Sequence, residues 1–95
     1  MLIIAGKMYV NPMERAEFIE AHRKVVEEAR GAPGCVDLAI SPDPWDESRV
    51  NMHEQWASAE AFEAWRAVSP VPTAQVDILG GDVRKQEVGR AGMPH

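Results

Sequence analysis

The side chains able to do chemistry crowd into one stretch, Arg49 to Pro70, RVNMHEQWASAEAFEAWRAVSP. From Arg49 to Trp56 the residues alternate in the period of a strand. Val50, Met52, Glu54 and Trp56 share one face, and Arg49, Asn51, His53 and Gln55 the other. Glu54 is thus an acid on an oily face. Burial there penalises the ionised form and moves the carboxyl toward a pKa at which it can exchange protons. Ser58 follows as a helix cap, Glu60 sits near the positive end of the dipole, and Ala61, Phe62, Trp65 and Val68 form an apolar stripe. Trp56 and Trp65 are expected to face each other at one wall of a pocket. A second proton-exchanging group, His22, lies on the apolar stripe of an earlier helix.

The remaining elements position this stretch. Leu2 to Val10 is apolar at nearly every position and predicts a strand covered on both faces. Asn11 as cap, Pro12 at the first helical position and Glu14 three residues after the cap predict a helix to about Arg30, with Phe18, Ile19, His22, Val25, Val26 and Ala29 buried and Gly31 as a left-handed stop. Cys35 to Ser41 alternates as a second strand with Val36, Leu38 and Ile40 on its oily face. A hairpin loop carrying Trp45, expected to be partly exposed, joins it to the Arg49 strand. Ser69, Pro70 and Pro72 break the second helix, Thr73 to Leu79 has room for one or two further turns, and Asp82 to Val88 is the last strand, polar enough for a sheet edge.

Strand, helix, strand, strand, helix, strand is the βαββαβ order of ferredoxin-like α+β domains, an antiparallel four-stranded sheet with its helices on one face. Residues 1–88 are expected to form a single domain and 89–95 a tail without periodic apolar signal, possible disorder included. With Leu2, Ile4, Met8, Val36, Leu38, Ile40, Val50 and Trp56 under the helices, the other face carries Ile3, Ala5, Tyr9, Ala39, Asn51, His53, Gln55 and Gln86. That mixture suits a sheet-to-sheet homodimer interface.

Composition removes other classes. A net charge of −5, with ten basic residues scattered and no aromatics interleaved among them, argues against nucleic acid. No apolar run approaches the roughly 20 residues that span a bilayer, and the start MLIIAGKMYV lacks a basic leader, so a cytoplasmic protein with no membrane partner is expected. One cysteine, Cys35, excludes an internal disulfide and reads as a small buried hydrophobe.

Together the Pro33-Gly34-Cys35 lead-in, the Glu54-x-Trp56-x-Ser58 junction, the Ala61-Phe62 helix and Ser69 resemble the antibiotic biosynthesis monooxygenase family of small dimeric α+β barrels, over Leu2 to Val88. The resemblance implies that Trp56 matches a cleft tryptophan of the anthrone oxygenases, that Trp65 matches the helix tryptophan beside haem in the haem degraders, and that Glu54 matches the usual strand acid. Two departures stand out. Met52 replaces the asparagine expected four residues before the strand tryptophan, and Val68 to Asp82 has no histidine to serve as the haem degraders' axial ligand.

No metal-ligand spacing, phosphate loop or dinucleotide fingerprint appears, so the implied oxidation would run without cofactor or metal. A deprotonated phenol or anthrone can itself pass an electron to molecular oxygen. The family logic then assigns catalytic parts to Glu54, His22 and Trp56, with Trp56, Trp65, Met52 and Phe62 binding a small aromatic such as a quinol, an anthrone or a polyketide-like phenol. Blander uses stand beside these: Glu54 paired with an arginine, His22 satisfied in the core, His53 in a dimer interface, the tryptophans as filling. Two other functions remain open, a non-catalytic small-ligand-binding barrel and an isomerase of a small lactone or ketone.

Overall fold

Asn11 caps as its place before Pro12 predicts: its side-chain oxygen accepts from the Met13 N–H at 2.9 Å and opens a 3-10 turn, Pro12–Glu14. In the computed structural model, which describes residues 1–89, that turn follows strand β1 (Leu2–Tyr9). After it come helices α1 (Arg15–Ala21) and α2 (Arg23–Arg30), strands β2 (Cys35–Pro42) and β3 (Arg49–Trp56), helix α3 (Ala59–Val68) and strand β4 (Gly80–Glu87). The strands form one antiparallel sheet in the order β2-β3-β1-β4, the ferredoxin-like α+β arrangement. No helix among the described residues is long and apolar enough to cross a membrane. Residues 90–95 of the tail lie outside the described residues.

The helix expected to run unbroken to Arg30 is divided at His22. The imidazole Nδ1 donates to the Phe18 carbonyl at 2.8 Å, the acceptor that the peptide N–H of residue 22 would take in an uninterrupted α-helix, and that N–H turns to Ile19 instead at 3.1 Å. A side chain thus replaces a backbone donor, and α2 starts afresh.

Leu2 pairs with Trp56, Ile4 with Glu54, Gly6 with Met52 and Met8 with Val50, so these residues share the face beneath the helices. On β2, Leu38 lies opposite Glu54 and Ile40 opposite Met52. Val36 departs from the alternation. A register shift between Cys35 and Asp37 sets Cys35 opposite Trp56 and against the core, and leaves Val36 55% exposed. Ile3, Ala5, Tyr9, Asn51, His53 and Gln55 lie on the opposite face, half-buried. The core has two parts. Leu2, Ile4, Ala29, Leu38, Trp56, Phe62 and Trp65 make one, and Val10, Phe18 and Val50 the other.

Three further expectations change. Gly31 keeps a right-handed conformation (φ −94°), and it is Gly34, three residues on, that takes a left-handed φ (82°), where an added Cβ would lie 2.5 Å from that of Ala61 on α3. Thr73 to Leu79 forms no helix; it runs as a strap over α1, its Thr73 N–H donating to the Ala21 carbonyl at 3.0 Å. Trp45, expected to be partly exposed, is almost wholly so at 92%, on a hairpin whose carbonyls at Asp43, Asp46 and Arg49 are gathered by the Arg15 guanidinium.

Candidate functional site

Alternation in β3 sets Met52, Glu54 and Trp56 in a row beneath the helices, and the Ser58 hydroxyl, accepting from the Ala61 N–H at 3.1 Å, starts α3 so that Phe62 and Trp65 point down onto that row. Between α3, the α1–α2 break and the sheet a cleft of about 290 Å³ remains open. His22, Met52, Glu54, Phe62, Trp65 and Arg66 line its chemically distinctive part. Of the residues singled out in the sequence, Glu54, His22, Met52, Phe62 and Trp65 therefore meet at one cavity.

Trp56 does not reach it. Its indole has no exposed surface and stacks directly on Trp65, with ring centroids 6.2 Å apart and an interplanar angle of 26°. Phe62 closes the cluster at 6.0 Å and 55°. The two indoles thus form one continuous wall, and a ligand in the cleft meets Trp65 alone. Nor is the Trp56 N–H available to a ligand, because Nε1 donates to Glu54 Oε1 at 2.9 Å. Trp56 bears on the cleft through Glu54, whose carboxyl it orients.

Glu54 is the one buried charged residue among those described, 7% exposed. Burial lifts its pKa above the usual 4.5; the Trp56 hydrogen bond and the Arg66 charge oppose the shift without cancelling it. With Oε1 held by the indole, Oε2 is the oxygen left to carry a proton. His22 is ordered from the opposite side. A carbonyl can only accept, so the Nδ1 bonded to Phe18 bears hydrogen, and in the neutral ring Nε2 keeps its lone pair. His22 also borders a second hollow of about 520 Å³, enclosed by Phe18 and the strap residues Val71 to Ile78. The cleft therefore holds a carboxyl whose pKa burial raises and an imidazole whose Nδ1 is committed to the Phe18 carbonyl.

The sequence reading missed Arg66. It was counted among scattered basic residues, although its spacing of four from Phe62 puts it on the same helical face. Among the described residues no group of three or more His, Cys, Asp or Glu side chains is placed to hold a metal ion.

Fold and site together define an α+β domain of ferredoxin-like topology with a cleft between sheet and helices that Glu54 and His22 both line. The profile of antibiotic biosynthesis monooxygenases matches residues 1–75, and the chain belongs to that family. Among solved structures it resembles a candidate antibiotic biosynthesis monooxygenase of Nitrosomonas europaea (14% identity, TM-score 0.73, covering 95% of this chain and 100% of that one). It also resembles a haem degrader of Mycobacterium tuberculosis holding two haems in its active site (17% identity, TM-score 0.64, covering 98% and 100%). Identities so low carry the shared fold. An uncharacterized Synechocystis protein is 26% identical over 62 residues, which is 65% of this chain and 42% of that protein, so the chain spans less than half the length of this curated relative.

Proposed function

We propose that the cleft is the active site of a cofactor-independent monooxygenase that oxidises a small electron-rich aromatic, such as an anthrone, quinol or polyketide-like phenol, with molecular oxygen. The observation that carries this reading is the pairing, in one aromatic-walled cavity, of a carboxyl held toward its protonated form with an imidazole whose Nε2 is free. For an anthrone, His22 Nε2 removes a proton from the activated methylene. The carbanion passes one electron to oxygen, and recombination of the resulting pair forms a carbon–peroxide bond. Glu54, protonated on Oε2, neutralises the peroxide oxyanion. Loss of water, with the remaining C–H proton and cleavage of the O–O bond, leaves the carbonyl product, so CH₂ and O₂ become C=O and H₂O with no external reductant. The hollow under the strap offers the proton on His22 a way out.

Haem fits poorly here. A cleft of about 290 Å³ is small for a macrocycle, and Val68 to Asp82 carries no histidine to serve as an axial ligand. The open sheet face, with Ile3, Ala5, Tyr9 and His53 half-buried and every residue of β4 exposed, supports a homodimer through that face.

Oxygen uptake with a panel of anthrones, naphthols and quinols tests the reading, alongside titration of tryptophan fluorescence by the same compounds. The expected result is quenching accompanied by oxygen consumption for at least one of these classes. Quenching without consumption would refute the oxygenase and leave a binding barrel; absence of both would remove the cleft as a ligand site.

A further inference from the structure

Two basic side chains meet beside the cleft in a chain whose net charge is −5. Two cations flank the Phe62 ring. The Arg66 guanidinium carbon lies 5.6 Å and Lys85 Nζ 5.3 Å from its centroid. Arg66 follows Phe62 by one helical turn and lines the cavity itself. Lys85 arrives from the far edge of the sheet: on β4 it stands opposite Ile4, and Ile4 stands opposite Glu54, so Lys85, Ile4, Glu54 and Leu38 form one cross-strand row beneath the helices. Counter-charge is scarce. Arg66 has Glu63 at 3.7 Å, with both side chains largely in solvent, and Lys85 has no ion pair among the described residues. The one carboxyl inside the cleft, Glu54, is buried and bonded to Trp56. Phe62 attracts each cation through its ring face but cannot neutralise either.

We propose that Arg66 and Lys85 form an anion-accepting rim, and that the ligand of the cleft is an aromatic bearing a carboxylate beside its reactive hydroxyl or carbonyl. The inference rests on the cleft being the ligand site. The aromatic ring lies against Trp65, its carboxylate reaches out to the Arg66 and Lys85 side of the cleft, and its reactive centre faces Glu54 and His22. A planar guanidinium suits a carboxylate in two-point contact, and the lysine ammonium adds a mobile second charge.

Isothermal titration calorimetry with 1-hydroxy-2-naphthoate and 1-naphthol, which differ by the carboxylate alone, provides the test. Two partly exposed ion pairs predict that the wild-type chain binds the naphthoate about fivefold more tightly at low salt. The double variant Arg66→Gln, Lys85→Gln should bring the ratio of the two affinities close to one, as should high salt acting on the wild type. Thermal melting confirms that the variant is folded before its affinities are compared. A ratio unchanged by the double substitution, or a wild-type ratio near one with 1-naphthol bound, overturns the rim and leaves the cleft intact. If neither compound binds the wild type, the cleft reading falls and the rim with it.

Discussion

Replacing Trp56 by Phe keeps an aromatic ring in the core but deletes the N–H that Glu54 Oε1 accepts at 2.9 Å. Trp56 has no exposed surface and Glu54 is 7% exposed, so water could replace the donor at Oε1 only by moving in from the cleft that Glu54 borders. The lost hydrogen bond to a buried carboxyl costs about 1–2 kcal/mol, and the void left by the smaller ring costs about 1–2 kcal/mol more. Some 3 kcal/mol in all is expected, a fall in Tm of roughly 12–24 °C for a domain of this size. The hydrogen bond favours the ionised carboxyl, so its removal also lets the Glu54 pKa climb further. Urea denaturation of the wild type, Trp56→Phe, Glu54→Met, which has no oxygen to accept the bond, and the double variant, at several pH values, separates the contributions. A coupling of about 1 kcal/mol is predicted, growing as pH rises and more of Glu54 ionises. Coupling indistinguishable from zero at every pH would refute the reasoning, because Trp56 would then act only as filling.

Two further outcomes follow from the same geometry. Gly34→Ala forces a side chain into the positive-φ region and against Ala61 on α3, and should lower stability by about 2 kcal/mol or more by chemical denaturation. Glu54 has a folded-state pKa above its usual 4.5; below that value it is protonated whether the chain is folded or not, and as pH rises through the raised pKa folding must bury a charge and stability falls. Glu54→Gln should abolish that decline, so stability curves for the two proteins should diverge with rising pH, with the variant the flatter.

Much of the site could be read in advance because its elements announce themselves locally. Alternation over Arg49–Trp56 set Glu54 beside Trp56 on the inner face, and the Ser58 cap set the phase that turns Phe62 and Trp65 inward. What escaped depended on competition between groups. Periodicity placed His22 on a buried stripe, but not its imidazole taking the Phe18 carbonyl and breaking the helix. Alternation also assumed a regular β2, and the shift at Val36 defeated it. The indoles were expected to wall the pocket together, but Trp65 alone lines it; Trp56 stacks behind Trp65 and gives its N–H to Glu54. Arg66 was legible by spacing and overlooked because charge was summed over the chain instead of along one helical face.

The account turns on Glu54 serving as a proton-holding group in an open cleft. Its most direct test is oxygen consumption by the wild type and Glu54→Gln with a substrate identified from the aromatic panel, followed across pH. The account predicts a kcat at least about 100-fold lower for the variant, and wild-type activity that declines as pH rises through the elevated Glu54 pKa. A variant that consumes oxygen at the wild-type rate, with the same pH profile, would contradict it.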